Sequence, residues 1–219
     1  DAGNTWSDFR MLPGYGRPMM TTYLGGGKLS YACEKRYFSN NYGTTWVESV
    51  PIPNCNDGQP LWVEGNAGVD RDAGGNALRV MEIGWHYDSG KSWPTGDGTC
   101  VFRYSLNEGR TWQGEVEPAT WKFTSTFNGQ EYVRGVSEGS VVRAANGSLV
   151  AALRSDMMPN YYLGGGPYTD DLEGTAVSIS NDNGATWSPL NILYKAGRHH
   201  PNLQRLPNND LLMTLIVRE

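Results

Sequence analysis

The sequence predicts an all-β protein, a β-propeller forming a single domain over residues 1–219, and three observations predict it. The first is a repeat. The pattern S-x-[DN]-x-G-x-T-W reads Ser39, Asn41, Gly43, Thr45, Trp46, then Ser105, Asn107, Gly109, Thr111, Trp112, then Ser180, Asp182, Gly184, Thr186, Trp187. Asp1, Gly3, Thr5 and Trp6 give the same pattern with its first two positions missing. The second is composition: 28 Gly, 12 Pro, 8 Trp and 12 Tyr in 219 residues describe short strands joined by tight turns, with aromatic packing. The third is that strands and turns fall at matching offsets from each copy of the motif. Recurrence of this kind marks an array of supersecondary units, and four strands per unit marks a propeller blade.

Each motif position has a physical task. The Asp or Asn side chain accepts backbone N–H groups within its own turn, Gly supplies a positive φ, and Ser and Thr close short local hydrogen bonds. Asp1, Asn41, Asn107 and Asp182 are therefore read as structural. Trp follows as an apolar anchor between layers.

In chain order, Ser7 to Leu12 is a strand leading through a glycine loop to Arg17-Pro18, matching the passage from Trp187 to Pro201. Met19 to Leu24 and Lys28 to Glu34 form a hairpin across Gly25–Gly27. In the next repeat Val63 to Val69 is expected as the first strand, Asp70 to Asn76 as a turn, and Ala77 to His86 and Cys100 to Ser105 as the second and third strands. The stretch Tyr87 to Trp93 imitates the motif and is read as an insertion loop. The third repeat enters by Trp121 to Val133, and its hairpin is Ser140 to Arg143, Asn146-Gly147, Ser148 to Arg154. Thr175 to Ile179 is its third strand. The fourth opens with Leu203 to Leu206, turns at Asn208-Asn209 and continues through Leu211 to Val217. This count gives about three whole blades with part of one at each end, and the expectation that the chain is a piece of a longer polypeptide.

Composition excludes some function classes. A net charge of −5 without a basic cluster argues against nucleic acid and anionic membrane surfaces. The longest apolar run, Leu211 to Val217, falls far short of the ~20 residues of a membrane span. Three cysteines, Cys33, Cys55 and Cys100, permit one intrachain disulfide at most. Asn146-Gly147-Ser148 fits a glycosylation sequon and, better, a tight hairpin turn.

Candidate chemistry gathers at the open ends of the inner hairpins, which face the central channel. A two-residue Asn146-Gly147 loop sets residue 139 opposite 154 and brings Glu138 to Arg154. The same arithmetic brings His199 to Arg218 and Arg17 near Glu34 and Lys35. His199 and His200 are expected on opposite faces, which argues against a shared metal, and no spacing in the chain calls for a metal or a cofactor. Gly135-Val-Ser-Glu-Gly139 satisfies a nucleophile-elbow pattern but continues as a strand where that elbow needs a helix. Asp170, Asp171 and Glu173 read as a solvated loop, and Tyr161 and Tyr162 as an aromatic sugar platform over the mouth.

The repeated motif resembles the Asp box of the sialidase (neuraminidase) superfamily of six-bladed propellers. The segment from Glu138 through Asn146-Gly147 to Arg154 is similar to that family's central Glu-strand-turn-strand-Arg passage. The resemblance implies a sialidase-like exo-glycosidase, secreted or periplasmic, removing terminal sialic acids from glycoconjugates with retention. Glu138 would be the base partner of a tyrosine nucleophile, and Arg154 a member of the triad that grips the substrate carboxylate. His199, Arg218, Tyr161 and Tyr162 would complete the substrate-binding surface. The family's acid/base Asp, its tyrosine and its remaining arginines have no counterpart in this chain. A non-catalytic glycan- or protein-binding propeller, and a hydrolase of the same superfamily acting on another sugar, are the alternatives.

Overall fold

The computed structural model describes residues 4–6, 19–87, 98–127, 129–155 and 173–218. Within them the chain is all-β, and the only helical piece is a single 3-10 turn at Ala119–Trp121. The first blade has four antiparallel strands in sequential order, β1 (Met20–Gly25), β2 (Lys28–Ala32), β3 (Lys35–Ser39) and β4 (Glu48–Pro51). The second is built on β5 (Trp62–Val63), β6 (Gly68–Arg71), β7 (Ala77–Tyr87), β8 (Gly98–Ser105) and β9 (Gln113–Val116), with β5 and β6 both pairing with β7. A separate hairpin follows, β10 (Phe123–Phe127) with β11 (Gln130–Arg134). The third blade is β12 (Val136–Arg143), β13 (Leu149–Ser155), β14 (Gly174–Ser180) and β15 (Asn191–Tyr194). A last hairpin, β16 (Arg198–Arg205) with β17 (Leu211–Val217), opens the fourth.

The motif turn joins the third and fourth strands in all three blades, and its bonds repeat. Gly43, Gly109 and Gly184 donate their N–H to Ser39, Ser105 and Ser180 Oγ at 2.9, 2.8 and 2.8 Å. Thr45, Thr111 and Thr186 donate theirs to Asn41, Asn107 and Asp182 Oδ1 at 2.9, 2.9 and 2.8 Å. Each Trp indole N–H reaches the carbonyl of its own turn's Gly at 3.1 Å. A turn that satisfies its own polar groups can be set down anywhere the chain must reverse, which is why it recurs. Asp1 and the first copy's other truncated positions lie outside the described residues, apart from Thr5 and Trp6.

The blades pack by inserting aromatic rings into their neighbours. Trp187 of the third blade lies edge-on to Phe102 of the second at 5.2 Å and to Trp121 at 5.0 Å. Between the first and second blades a charged group is set among apolar contacts such as Leu24 and Phe38 with Val80. Glu82 of β7 is fully buried between Arg36 of β3 and Arg103 of β8, and both guanidiniums stack on Trp112. Arg103 Nε donates to Glu82 Oε1 at 2.8 Å, while Arg36 reaches Oε2.

Three expectations are corrected. Val63 to Val69 is not one strand: it breaks between Val63 and Gly68, with Gly65 at φ 88°. The reason is a close approach, since a Cβ on Gly65 would stand 2.5 Å from the Gly139 carbonyl. The third-blade hairpin is offset by one from the two-residue loop, with Arg143 opposite Leu149 and an Ala144–Ser148 bond of 2.9 Å closing the turn. The last hairpin shifts likewise, with Arg205 opposite Leu211. The insertion loop around Trp93 lies outside the described residues beyond Tyr87.

A candidate active site at the channel mouth

Two irregularities place the site. The β12–β13 register shifts between Ser137 and Gly139, so Ser137 stands opposite Arg154, Gly139 stands opposite Leu153 and Glu138 is the extra residue of a bulge. On the first strand of the adjoining blade, β16 shifts between His199 and Asn202. Glu138 and His200 sit in these shifts at φ 38° and 54°, a region that L-residues seldom occupy. Strained non-glycine backbone of this kind collects at functional sites, where the surrounding structure enforces it.

The two strained residues meet. His200 Nδ1 donates to Glu138 Oε2 at 2.7 Å, and Arg154 Nη1 donates to the same oxygen at 2.6 Å. The other terminal nitrogen of Arg154 pairs with Glu173, which is 4 % exposed. Glu173 is thus a buried member of the site and not the solvated loop residue that the sequence suggests. Arg154 is clasped between two carboxylates.

A second carboxyl completes the group. Glu64, 7 % exposed, occupies the break between β5 and β6 beside Glu138 and near the Trp85 indole, whose N–H has no hydrogen-bond partner among the described residues. Its Oε2 is buried without a hydrogen-bond partner among the described residues. Burial, the Glu138 charge and the contact with Glu138 push its pKa up to about 7. Burial acts on Glu138 in the same direction, but the His200 hydrogen bond and the Arg154 guanidinium outweigh it and hold that carboxyl down to about 2. His200 is raised in turn, by its hydrogen bond to Glu138 against the opposing effect of burial. Below about pH 7 the pair holds one proton on Glu64 and a charge on Glu138. Two carboxyls whose surroundings push them apart in this way divide the roles of acid and base.

The structure brings Glu138 to Arg154, and His199 to Arg218, whose Nε lies 3.2 Å from His199 Nε2. The first pair meets although the bulge adds to the one-residue offset of the hairpin: residue 154, expected opposite 139, stands opposite 137, with Glu138 as the extra residue beside it. Glu34 is exposed and accepts the Tyr37 hydroxyl at 2.6 Å, while Arg17, Tyr161 and Tyr162 lie outside the described residues. Sequence reasoning missed Glu64, His200 and Glu173. A signal for Glu64 was present: Glu64-Gly65 matches Glu138-Gly139, a carboxylate followed by a glycine with no room for a side chain, Gly65 against the Gly139 carbonyl and Gly139 against Ile83 and Leu153. A cavity of about 840 Å³ lies further along the channel, among Thr21–Tyr23, Asn66–Arg71, Val141–Arg143 and Leu203–Arg205. It is at the turn end, where Arg143 and Asp70 form a bidentate pair at 2.8 Å, and is separate from the carboxyl cluster.

No protein-family model matches the chain, and no curated protein matches it. Solved structures do. A protein of unknown function from Dyadobacter fermentans superposes with a TM-score of 0.64 at 15 % identity, over 90 % of this chain and 56 % of that one. A Penicillium chrysogenum α-L-arabinanase complexed with arabinobiose gives 0.60 at 16 %, over 91 % and 57 %. A Trypanosoma rangeli sialidase in complex with 2,3-difluorosialic acid, a covalent intermediate, gives 0.56 at 16 %, over 92 % and 34 %. This is the sialidase-type β-propeller fold. The chain spans between about a third and somewhat over half of the length of these proteins.

Proposed function

We propose that the channel mouth is the active site of an exo-acting glycoside hydrolase, with Glu64 as proton donor and Glu138 as the ionised carboxylate at the anomeric carbon. The observation that carries this reading is a pair of neighbouring carboxyls in unlike surroundings, Glu64 buried without a cation and Glu138 held by His200 and Arg154, which push the first pKa up and the second down. Glu64 protonates the leaving glycosidic oxygen while the ionised Glu138 stabilises the positive charge that develops at the anomeric carbon. Water then adds to the anomeric carbon and gives its proton back to Glu64. A carbohydrate substrate is consistent with the arabinanase and sialidases that share the fold.

The state of Arg154 favours a neutral sugar. Both of its terminal nitrogens already face carboxylates, so a substrate carboxylate would compete with Glu138 and Glu173 for the same fork. A second reading, hydrolysis of terminal sialic acids, is favoured by the similarity of the Glu138-to-Arg154 segment to the sialidase passage. There Glu138 would activate a tyrosine, and Arg154 would exchange Glu173 for the substrate.

Fluorogenic α-L-arabinofuranosides, other neutral glycosides and an α-sialoside separate the readings. Turnover of a neutral glycoside that is abolished in both Glu64→Gln and Glu138→Gln supports the first. Turnover of the sialoside alone, surviving Glu64→Gln, supports the second. Saturable glycan binding with no turnover of any substrate would overturn both in favour of a binding propeller.

A further inference from the structure

A second cluster of chemically active side chains stands apart from the carboxyl pair, in the seam between the first two blades. Cys55, Asp57 and His86 each offer one ligand atom, and these atoms lie within 4.8 Å of one another. Cys55 and Asp57 come from the connection between β4 and β5, and His86 from the end of β7. Glu117, just after β9, brings Oε1 to 3.4 Å from His86 Nε2. We propose that Cys55, Asp57 and His86, with Glu117 at the edge of the group, form a binding site for a zinc-class divalent cation.

The donor set selects the ion. A thiol and an imidazole beside carboxylates suit Zn²⁺ and its spectroscopic substitute Co²⁺, whereas Ca²⁺ and Mg²⁺ require oxygen ligands throughout. Three donors from two elements, with Glu117 beside His86, leave the fourth position of a tetrahedral zinc site to Glu117 or to water. The surrounding bonds hold the donors in place. His86 Nδ1 lies 2.8 Å from the Tyr87 carbonyl, so that bond fixes the proton on Nδ1 and leaves the Nε2 lone pair toward Glu117. This is the outer contact that orients metal-bound imidazoles. In the absence of a proton or a cation between them, that lone pair and the Glu117 carboxylate face each other with nothing to attract them.

The Cys55–Asp57 turn is also preformed. Cys55 N donates to the Gln59 carbonyl at 2.9 Å, Gly58 N to the Cys55 carbonyl at 2.8 Å and Gln59 N to Asp57 Oδ1 at 2.9 Å. Asn56 N donates to Glu115, tying the turn to β9. The Arg103 guanidinium of the seam is committed to Glu82 and to the Pro53 carbonyl. Cys55 and His86 are 4 % and 3 % exposed, while Asp57 is exposed and provides the way in. Cys55 belongs to an apolar cluster with Met20, Ala32, Leu61, Val63 and Val101, and its thiol also stands beside an imidazole and a carboxylate. The ion would tie the turn that follows the first blade to β7 and β9 of the second, on the side of the seam away from the motif turns.

The test is Co²⁺ titration of chelator-stripped protein, read by absorption, with Zn²⁺ competition and thermal melting. The expected result is one saturable Co²⁺ per chain with a thiolate charge-transfer band in the near ultraviolet, displaced by Zn²⁺, and a melting temperature that rises with Zn²⁺. Cys55→Ser removes the band and Cys33→Ser leaves it. Asp57→Asn, at an exposed position that does not threaten folding, weakens Zn²⁺ by at least about tenfold. Absence of saturable binding, a band that survives Cys55→Ser, or unchanged affinity in both Asp57→Asn and His86→Ala would overturn the site. None of these outcomes depends on glycosidase activity.

Discussion

Replacing Glu64 by Gln is expected to stabilise the protein above pH 7 and to abolish the proposed hydrolysis. In the folded chain the Glu64 carboxyl keeps its proton to about 7, against an ordinary value of 4.5. The folded state therefore binds more protons than the unfolded state between these two values, and stability falls as pH rises through that window. Over about 2.5 pH units at ~1.4 kcal/mol each, the ionised side chain costs about 3 kcal/mol once pH exceeds 7. Glutamine keeps the shape and can donate to Glu138 as the protonated acid does, so below pH 4.5 the variant and parent should be equally stable. Urea unfolding at both ends of the window measures the difference. A variant that is no more stable than the parent above pH 7, or that shows the same advantage below pH 4.5, would refute the assignment of the proton to Glu64.

Further outcomes follow from the same geometry. The pH profile of kcat/KM should lose activity on its alkaline side at about 7, as Glu64 gives up its proton, and Arg154→Met should move the acid limb upward because Glu138 loses one of its two cationic partners. Glu82→Gln leaves Arg36 and Arg103 buried without their shared carboxylate and should cost about 3–5 kcal/mol in urea unfolding. Gly43→Ala and Gly184→Ala test the turns against each other. Both glycines have positive φ, a strain of about 1 kcal/mol for alanine, but a Cβ at 184 would stand 2.1 Å from the Phe102 ring, where one at 43 has 3.4 Å to the nearest atom. Gly184→Ala should therefore cost roughly 1–3 kcal/mol more, read as a lower urea midpoint.

Sequence alone determined the blade. The motif turns satisfy their polar groups between residues two to four apart, so a local pattern suffices to specify them, and the strands on either side follow from the turns. The meeting of Glu138 with Arg154 was legible too, because the two lie on the arms of one hairpin. Registers were less so. Asn146-Gly147 reads as a two-residue loop, and only the folded hairpin shows its closing pair one step further out.

Only the tertiary structure decided the site. Glu64 and Glu138 are 74 residues apart in the chain and Glu138 and His200 are 62 apart, on three successive blades, so no local pattern joins them. Two-residue alternation sends His199 and His200 to opposite faces, but a bulge at positive φ turns His200 onto the carboxylate of the neighbouring blade. Glu173 reads as solvated from its acidic neighbours and is buried by Arg154. Cys55, Asp57, His86 and Glu117 likewise acquire their common chemistry only when the seam between two blades closes. The turns depend on bonds within a few residues, whereas proton sharing and ligand clustering depend on backbones brought together by packing, which sequence spacing does not encode.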